Sequence, residues 1–341
     1  MAAIIDDKSE HCIPFIIDRI AAHRQQHGDN GRPFFLGLNG VQGAGKTTLV
    51  TTLCTTLRSP PHSLPTAVLS IDDLYLAHPA QLALAQSHPR NPLVQHRGQP
   101  STHDLALGAS VFASLARKQP TAIPSYDKSQ HSGAGDRAPE ETWERVNQPG
   151  EKPVEVVVFE GWCVGFRALS DAELVAKWED AKAQAAKGDG YDGQLARHEL
   201  ESLKFVNDKL REYDALTDGA GDCSSGVVVV VESGQREKSR STRADDRSRA
   251  KTCSMLDAFV HIDAEKTTYV YDWRLQQEAA LRTAKGTGMT DEQVINFVNG
   301  YYPAYELYTD TLRAGIFKGE KGRQLRLVVG KDRRVKSVEK L

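Results

Sequence analysis

Residues 40–47 read Gly-Val-Gln-Gly-Ala-Gly-Lys-Thr, three glycines followed by a lysine and a hydroxyl side chain. Gly40, Gly43 and Gly45 let the backbone turn tightly enough to point successive N–H groups at one spot. A helix opening at Lys46 adds the positive end of its dipole. The chemistry this predicts is a cradle for a polyphosphate, formed by Gly40, Gln42, Gly43, Ala44, Gly45, Lys46, Thr47 and Thr48. Within it Lys46 reaches the β- and γ-phosphates and Thr47 holds Mg²⁺. The alternative is a glycine-rich turn with no ligand. A dinucleotide fingerprint fits worse, because Gly43-Ala44-Gly45 is followed by Lys-Thr-Thr where a third small residue belongs.

Further groups that can act on a phosphoryl transfer recur downstream. Asp72 and Asp73 end an apolar run in Ser70-Ile71-Asp72-Asp73-Leu74-Tyr75. A carboxylate there would face the γ-phosphate and orient or deprotonate an acceptor hydroxyl; the alternative is an Asx-type turn or helix cap. If the strand continues through both, they point to opposite sides and only one faces the phosphate. Glu160 closes the valine-rich run 156–159, the form of a second Mg²⁺-directed acid, or else of a simple turn residue. Arg97 and the Tyr126-Asp127-Lys128 segment lie in loops and offer cations to an anionic acceptor. Arg274 and Arg282 stand eight residues apart on one expected helix, about 80° apart around its axis. They form a lid over a triphosphate or else are solvated helix charge.

These residues need a scaffold, and the periodicity supplies one. Strands are expected at 34–39, 67–71, 154–159, 256–262 and 325–329, and helices at 46–58, 102–117, 171–186, 196–214, 266–285 and 291–313. Ser101 to Asp104 and Thr290 to Gln293 have the spacing of capping boxes, which marks two helix starts. Leu200, Leu203, Val206, Leu210 and Tyr213 share one helical face, as do Ile13, Ile16, Ile17 and Ile20 of an N-terminal docking helix. Strand and helix in alternation mean an α/β fold, a mainly parallel sheet of about five strands with helices on both faces and ligands at the carboxyl ends of the strands. No internal repeat is visible, and residues 1–341 are expected to form a single domain. Residues 219–254 break the pattern, passing from Gly/Ser-rich sequence through Val227–Val231 into an Arg- and Ser-rich charged run. Its charged half lacks apolar periodicity and is expected to be a solvated or disordered insertion.

Composition narrows the partners. The chain has 341 residues, 40% of them hydrophobic, and a formal net charge of −2. It is large enough for a substantial core, and its charge argues against a polyanion-binding surface, so no nucleic-acid partner is expected. Five cysteines without a C-x-x-C pair suit a reducing compartment. The start of the chain has neither signal-peptide nor transit composition, and no apolar stretch approaches the ~18 residues of a membrane span. The expected location is the cytosol or nucleus, with no membrane association, and Mg²⁺ brought by a nucleotide is the expected metal.

Taken in order, the motifs resemble those of the small-molecule kinases that include uridine kinase, phosphoribulokinase and bacterial pantothenate kinase. The likeness is strongest to the D-glycerate 3-kinase group and its fungal ATP-binding relatives. It is carried by Gly40 to Thr48, Ser70 to Tyr75, Arg97-Gly98-Gln99-Pro100-Ser101-Thr102-His103-Asp104-Leu105, and Tyr126 to Ser129. Gly133 to Arg137, Phe159-Glu160-Gly161-Trp162, Gly165-Phe166, Phe205-Val206-Asn207 and Tyr271 to Gln276 continue it over roughly residues 33–315. The resemblance implies a P-loop NTPase fold and transfer of the ATP γ-phosphate to a small alcohol, most specifically D-glycerate. It implies Asp72 beside the acceptor, Glu160 near Mg²⁺ and Arg274 with Arg282 as lid, while Arg97, Tyr126 and Lys128 are expected around the acceptor from their place in the loops. Two departures stand out: the insertion, and Ala134 where the plant-type loop leads one to expect a basic residue. A nucleotide-binding regulatory protein of the same fold, or a kinase for a nucleoside, pantothenate or a sugar phosphate, is the competing reading.

Overall fold

Runs such as Phe34–Gly40 and Val156–Phe159 contain too few polar residues for a half-solvated strand, so they belong where both faces of a sheet are covered. The computed structural model describes residues 6–28, 30–188, 190–217, 254–286 and 288–341. In chain order its elements are α1 (Ser9–His27), β1 (Phe34–Gly40), α2 (Lys46–Arg58), β2 (Thr66–Ser70), α3 (His78–Ser87), α4 (Leu105–Ala116), β3 (Thr121–Ile123) and β4 (Tyr126–Asp127). There follow β5 (Asp136–Arg137), β6 (Glu144–Val146), β7 (Val156–Gly161), α5 (Asp171–Lys187), α6 (Leu200–Arg211), α7 (Asp214–Thr217), β8 (Ala258–Ala264), α8 (Tyr269–Lys285), α9 (Asp291–Arg313), β9 (Gln324–Val329) and β10 (Val335–Lys340).

The main sheet has six strands in the order β10-β9-β8-β1-β7-β2. The five nearest the β2 edge are parallel and β10 runs antiparallel to β9. Every residue of β1 and of β8 is buried, as parallel central strands require. The five expected strands are all present; the sixth, β10, is an addition to the expected sheet. It is an exposed edge with only Val335 and Val338 apolar, so no alternation marks it and its pairing with β9 defines it.

Caps fix where the helices begin. The Thr290 hydroxyl accepts from the Gln293 N–H while the Gln293 side chain accepts from the Thr290 N–H, the expected capping box at the start of α9. At α4 the expectation fails. Asp104, not Ser101, is the cap, accepting from the Leu107 N–H at 3.0 Å, worth about 1 kcal/mol. Ser101 sits at φ 101° and donates its N–H to the Tyr213 hydroxyl instead. Helix α1 docks as expected but on a slightly rotated stripe, with Cys12, Phe15, Ile16 and Ile20 buried and Ile13 and Ile17 half-buried at its border. At the amino ends of the strands Asp257 ties three elements together, accepting from both Arg32 nitrogens at 2.6 and 2.8 Å and from the Phe35 N–H at 2.8 Å. His23, His27 and this carboxylate bring three ligand-type atoms within 4.8 Å of one another. Arg32 already occupies both oxygens, so the cluster is an ion-pair knot rather than a cation cage.

The expected insertion at 219–254 lies, apart from Ser254, outside the described residues. Its borders are informative: the Met255 N–H donates to the Thr217 carbonyl at 2.8 Å, and the Ser254 hydroxyl reaches the same oxygen at 3.1 Å. The chain therefore leaves and re-enters the fold at one point. Replacing 218–253 by a short Gly/Ser linker is expected to leave the thermal midpoint and ATP turnover close to wild type, because loop closure depends only weakly on length. A linker variant that is insoluble, or that melts far below wild type, would show that this segment holds part of the core.

Candidate functional site

Strand register brings the acids together. In β7, Glu160 lies level with Leu38 of β1 on one side and Ser70 of β2 on the other, all at the carboxyl ends of parallel strands. The phosphate loop begins directly after β1, and Asp72 lies two residues beyond Ser70. This is the edge where ligands of open α/β sheets bind.

The loop has the geometry its sequence demands. Gly43 and Gly45 stand at φ 86° and 96°, in the left-handed region, and Gly45 is the cap of α2 with no side-chain bond closing it. The first N–H groups of α2 thus have no partner in their own helix and are turned toward a ligand position. A Cβ on Gly43 would lie 2.5 Å from the Cβ of Trp273, so α8 lies against this turn. Lys46 donates its ammonium to the Gly40 carbonyl at 2.6 Å, folded over the loop. Burial holds its pKa below the usual lysine value, while Glu160 and Asp72 pull it back up. Thr47 is exposed in the first turn. Asn39 anchors the base of the loop by donating to the carbonyls of Trp162 and Val164 at 2.9 and 2.8 Å.

Asp72 and Asp73 are not in a strand. The Ser70 hydroxyl accepts from the Asp72 N–H, β2 ends there, and Ile71–Leu74 form a 3₁₀ turn. The expectation of opposite strand faces is therefore replaced by two successive positions on a tight turn, a local side-chain bond having ended the strand. Their environments still differ. Asp72 Oδ2 accepts from Lys128 at 2.6 Å, whereas Oδ1 is buried with no hydrogen-bond partner among the described residues. Burial pushes the Asp72 carboxyl up, but Lys128, His103 and Lys46 outweigh it and hold it below the usual range. Asp73 Oδ1 accepts from the Tyr126 N–H at 3.0 Å, and burial raises this carboxyl to about 6, Asp72 and Glu160 adding to the rise. The Glu160 carboxylate makes no hydrogen bond or ion pair with the described residues.

The strand pair β4–β5 presents the cations. Lys128 follows β4 and reaches Asp72. Arg97 lies over the Tyr126 ring at 5.8 Å and donates to the carbonyls of Gly133, at 2.7 Å, and Ala134. Its guanidinium is thus engaged in holding the 133–135 loop. Gly135 is needed there, since a Cβ would meet the Tyr126 ring at 2.5 Å.

The two arginines of α8 part company. Arg274 lies beside Trp273, its guanidinium 5.6 Å from the Phe297 ring, donating to the Gln277 side chain at 3.0 Å and standing 3.9 Å from Glu278 on its own helix, while its Nε is buried with no hydrogen-bond partner among the described residues. Arg282, two turns and about 12 Å further along, donates to the Met289 carbonyl and to Asp291 at 2.7 Å. It secures the start of α9, and the structure does not bring it to the loop. Three contributors escaped the sequence reading. The Tyr305 hydroxyl accepts from the Gln42 N–H at 3.2 Å; Arg333 donates to the Gly43 carbonyl at 2.7 Å and lies 5.5 Å from the Trp273 ring; and His103 is buried beside Tyr75. The first two reach the loop from more than 250 residues away, a distance at which no local spacing signals contact.

No family model matches the chain. Among curated proteins it is similar to the uncharacterized kinase mug58 of Schizosaccharomyces pombe, 35% identical over 303 residues, 88% of this chain and 90% of that one. It is similar also to the chloroplastic D-glycerate 3-kinase of Arabidopsis thaliana, 32% identical over 303 residues and 87% of this chain, which spans only 53% of that protein. Among solved structures, the D-glycerate 3-kinase of Cryptococcus neoformans superposes with a TM-score of 0.78 at 31% identity, covering 99% of this chain and 100% of that one. Phosphate loop, parallel sheet and these likenesses define a P-loop kinase, an ATP-dependent phosphotransferase whose acceptor is the alcohol group of a small molecule. Within that class the chain belongs to the family of D-glycerate 3-kinases and their fungal kinase relatives.

Proposed function

We propose that the protein transfers the γ-phosphoryl group of ATP to a hydroxyl of D-glycerate. The observation that carries the reading is the pairing of a glycine-turned amide cradle with Asp72, whose Oδ1 is buried and uncommitted while Oδ2 is fixed by Lys128. The acceptor hydroxyl donates to Oδ1, and Asp72 orients it and takes its proton as the phosphoryl group moves. Phosphoryl transfer asks mainly for positioning and charge. Gly43 and Gly45 to Thr48 supply it through amides, Lys46 swings from the Gly40 carbonyl to the transferred group, and Arg274 adds charge from α8. Lys128, with Arg97 beyond it still carrying donors on Nε and Nη2 that no described residue takes up while Nη1 holds the 133–135 loop, forms the cationic side that suits a carboxylate acceptor. The names of the Arabidopsis and Cryptococcus relatives support glycerate among hydroxy acids.

Mg²⁺ fits the residues present: the Thr47 hydroxyl is exposed in the first turn of α2, and the Glu160 carboxylate has no partner among the described residues and stands near a strand end. These two would hold it, and the ion supplies charge neutralisation between the phosphates. We take residues 1–341 as one kinase domain with an N-terminal helix.

The test is ADP release by purified protein with ATP and Mg²⁺ against a panel of hydroxy acids, nucleosides, pantothenate and sugar phosphates. Turnover with D-glycerate on the order of 1–100 s⁻¹ is expected. Activity on uridine or pantothenate with none on glycerate would move the chain to a different acceptor.

A further inference from the structure

We propose that His103 is a recognition group of the acceptor site, a fixed Nε2–H donor that binds an oxygen one carbon from the attacking hydroxyl. The inference rests on the kinase reading above and deepens it. It assigns the acceptor class as vicinal diols and α-hydroxy acids, which carry that second oxygen.

Backbone pairing sets the ring in place. The Asp104 N–H donates to the Leu74 carbonyl at 2.6 Å and the Leu76 N–H to the Thr102 carbonyl at 2.9 Å. Tyr75, three residues beyond Asp72, and His103 therefore face each other, their rings stacked with centroids 4.3 Å apart. His103 is 4% exposed. Its Nδ1 lies 2.6 Å from the Tyr213 hydroxyl, which also accepts the Ser101 N–H at 3.0 Å.

That arrangement selects the tautomer. A phenol has one proton. With the Ser101 N–H already on its oxygen, the Tyr213 proton is best placed on Nδ1, which makes Nδ1 the acceptor and puts the imidazole proton on Nε2. Burial favours the neutral ring and pushes its pKa down to about 4, although the Asp72 charge pulls the other way. Among the described residues the Nε2 end is buried without any hydrogen-bond partner, and so is Asp72 Oδ1. An unpaired buried donor and an unpaired buried acceptor on neighbouring segments are each unfavourable alone. Together they match an acceptor that donates its attacking hydroxyl to Asp72 and accepts His103 Nε2–H at the adjacent oxygen.

The experiment compares D-glycerate with 3-hydroxypropionate, which lacks the neighbouring hydroxyl, in wild type, His103→Phe and His103→Gln. Phenylalanine keeps the stack on Tyr75 and loses the N–H; glutamine carries an amide N–H to about the Nε2 position. His103→Phe is expected to lower kcat/KM for D-glycerate on the order of 10–100-fold. It should change 3-hydroxypropionate little, leave KM for ATP unaltered, and be partly rescued in His103→Gln. Equal losses on both acceptors, or none, would overturn the assignment. If another acceptor proves to be the substrate, the same comparison is made with that compound and its deoxy analogue, so failure of the glycerate reading is separate from failure of this one. ¹⁵N NMR of the histidine rings in the unliganded wild-type protein tests the tautomer directly. A proton on Nε2 and none on Nδ1 is expected, and a protonated Nδ1 at neutral pH would overturn the proposal even if the variants do not fold.

Discussion

Asp72→Asn is expected to lower kcat on the order of 10²–10⁴-fold while ATP affinity stays near wild type, and Asp73→Asn to lower it much less. A loose transition state moves the loss toward the lower end. The structure gives the asymmetry its cause. Asp73 Oδ1 is occupied by the Tyr126 N–H, a bond an asparagine oxygen also accepts, whereas Asp72 offers a buried oxygen with no partner among the described residues. Asparagine at 72 keeps the size and loses both the proton-accepting oxygen and the charge that Lys128 pairs with. Asp73 instead carries a stability signature. Its carboxyl titrates near 6 in the folded protein against a usual 3.8. Between those pH values the native state binds more protons than the unfolded chain, so its contribution to stability declines as pH rises through the window. The thermal midpoint of Asp73→Asn relative to wild type should therefore rise between pH 4 and 7. A larger kcat loss at Asp73 than at Asp72 would exchange their roles.

Lys46→Ala is expected to cost about 10²–10³-fold in kcat, the loss typical of removing one preorganised donor to transition-state charge, and to weaken ATP binding as well. The side chain donates to the Gly40 carbonyl, and its Cγ lies 3.0 Å from where a Gly40 Cβ would stand. It is thus packed over the loop, one side-chain rotation from the phosphates. Single-turnover phosphoryl transfer with the variant, set beside nucleotide titration, separates the two effects. Wild-type transfer in Lys46→Ala would remove the loop from the chemistry.

The phosphate loop and the strands and helices around it could be read from sequence because local physics writes them locally. Glycines must stand where φ is positive, valine runs must be buried, and the Thr290–Gln293 box closes within one helical turn. Helices α2 and α9 begin and end where their periodicity places them, at 46–58 and 291–313. What sequence did not disclose depends on distant partners or weak patterns. Helix α3 buries only Gln81 and so has no apolar stripe. The 3₁₀ turn under Asp72 hangs on a single hydroxyl, that of Ser70, which strand periodicity does not weigh. Arg282 shares a helix with Arg274, yet Asp291, beyond the end of that helix, decides where its guanidinium goes. The ties of Arg333 to Gly43, Tyr305 to Gln42 and Tyr213 to His103 span from about a hundred to nearly three hundred positions and exist only once the sheet is assembled.

The most direct measurement is a crystal structure of the wild-type protein with a non-hydrolysable ATP analogue, Mg²⁺ and D-glycerate bound together. The triphosphate is expected on the amides of Gly43 and of Gly45 to Thr48. One glycerate hydroxyl should lie about 2.6–3.2 Å from Asp72 Oδ1, in line with the γ-phosphate and on the Lys128 side. Glycerate seated away from Asp72, or its hydroxyl on Asp73 with Asp72 Oδ1 still unpaired, would contradict this placement.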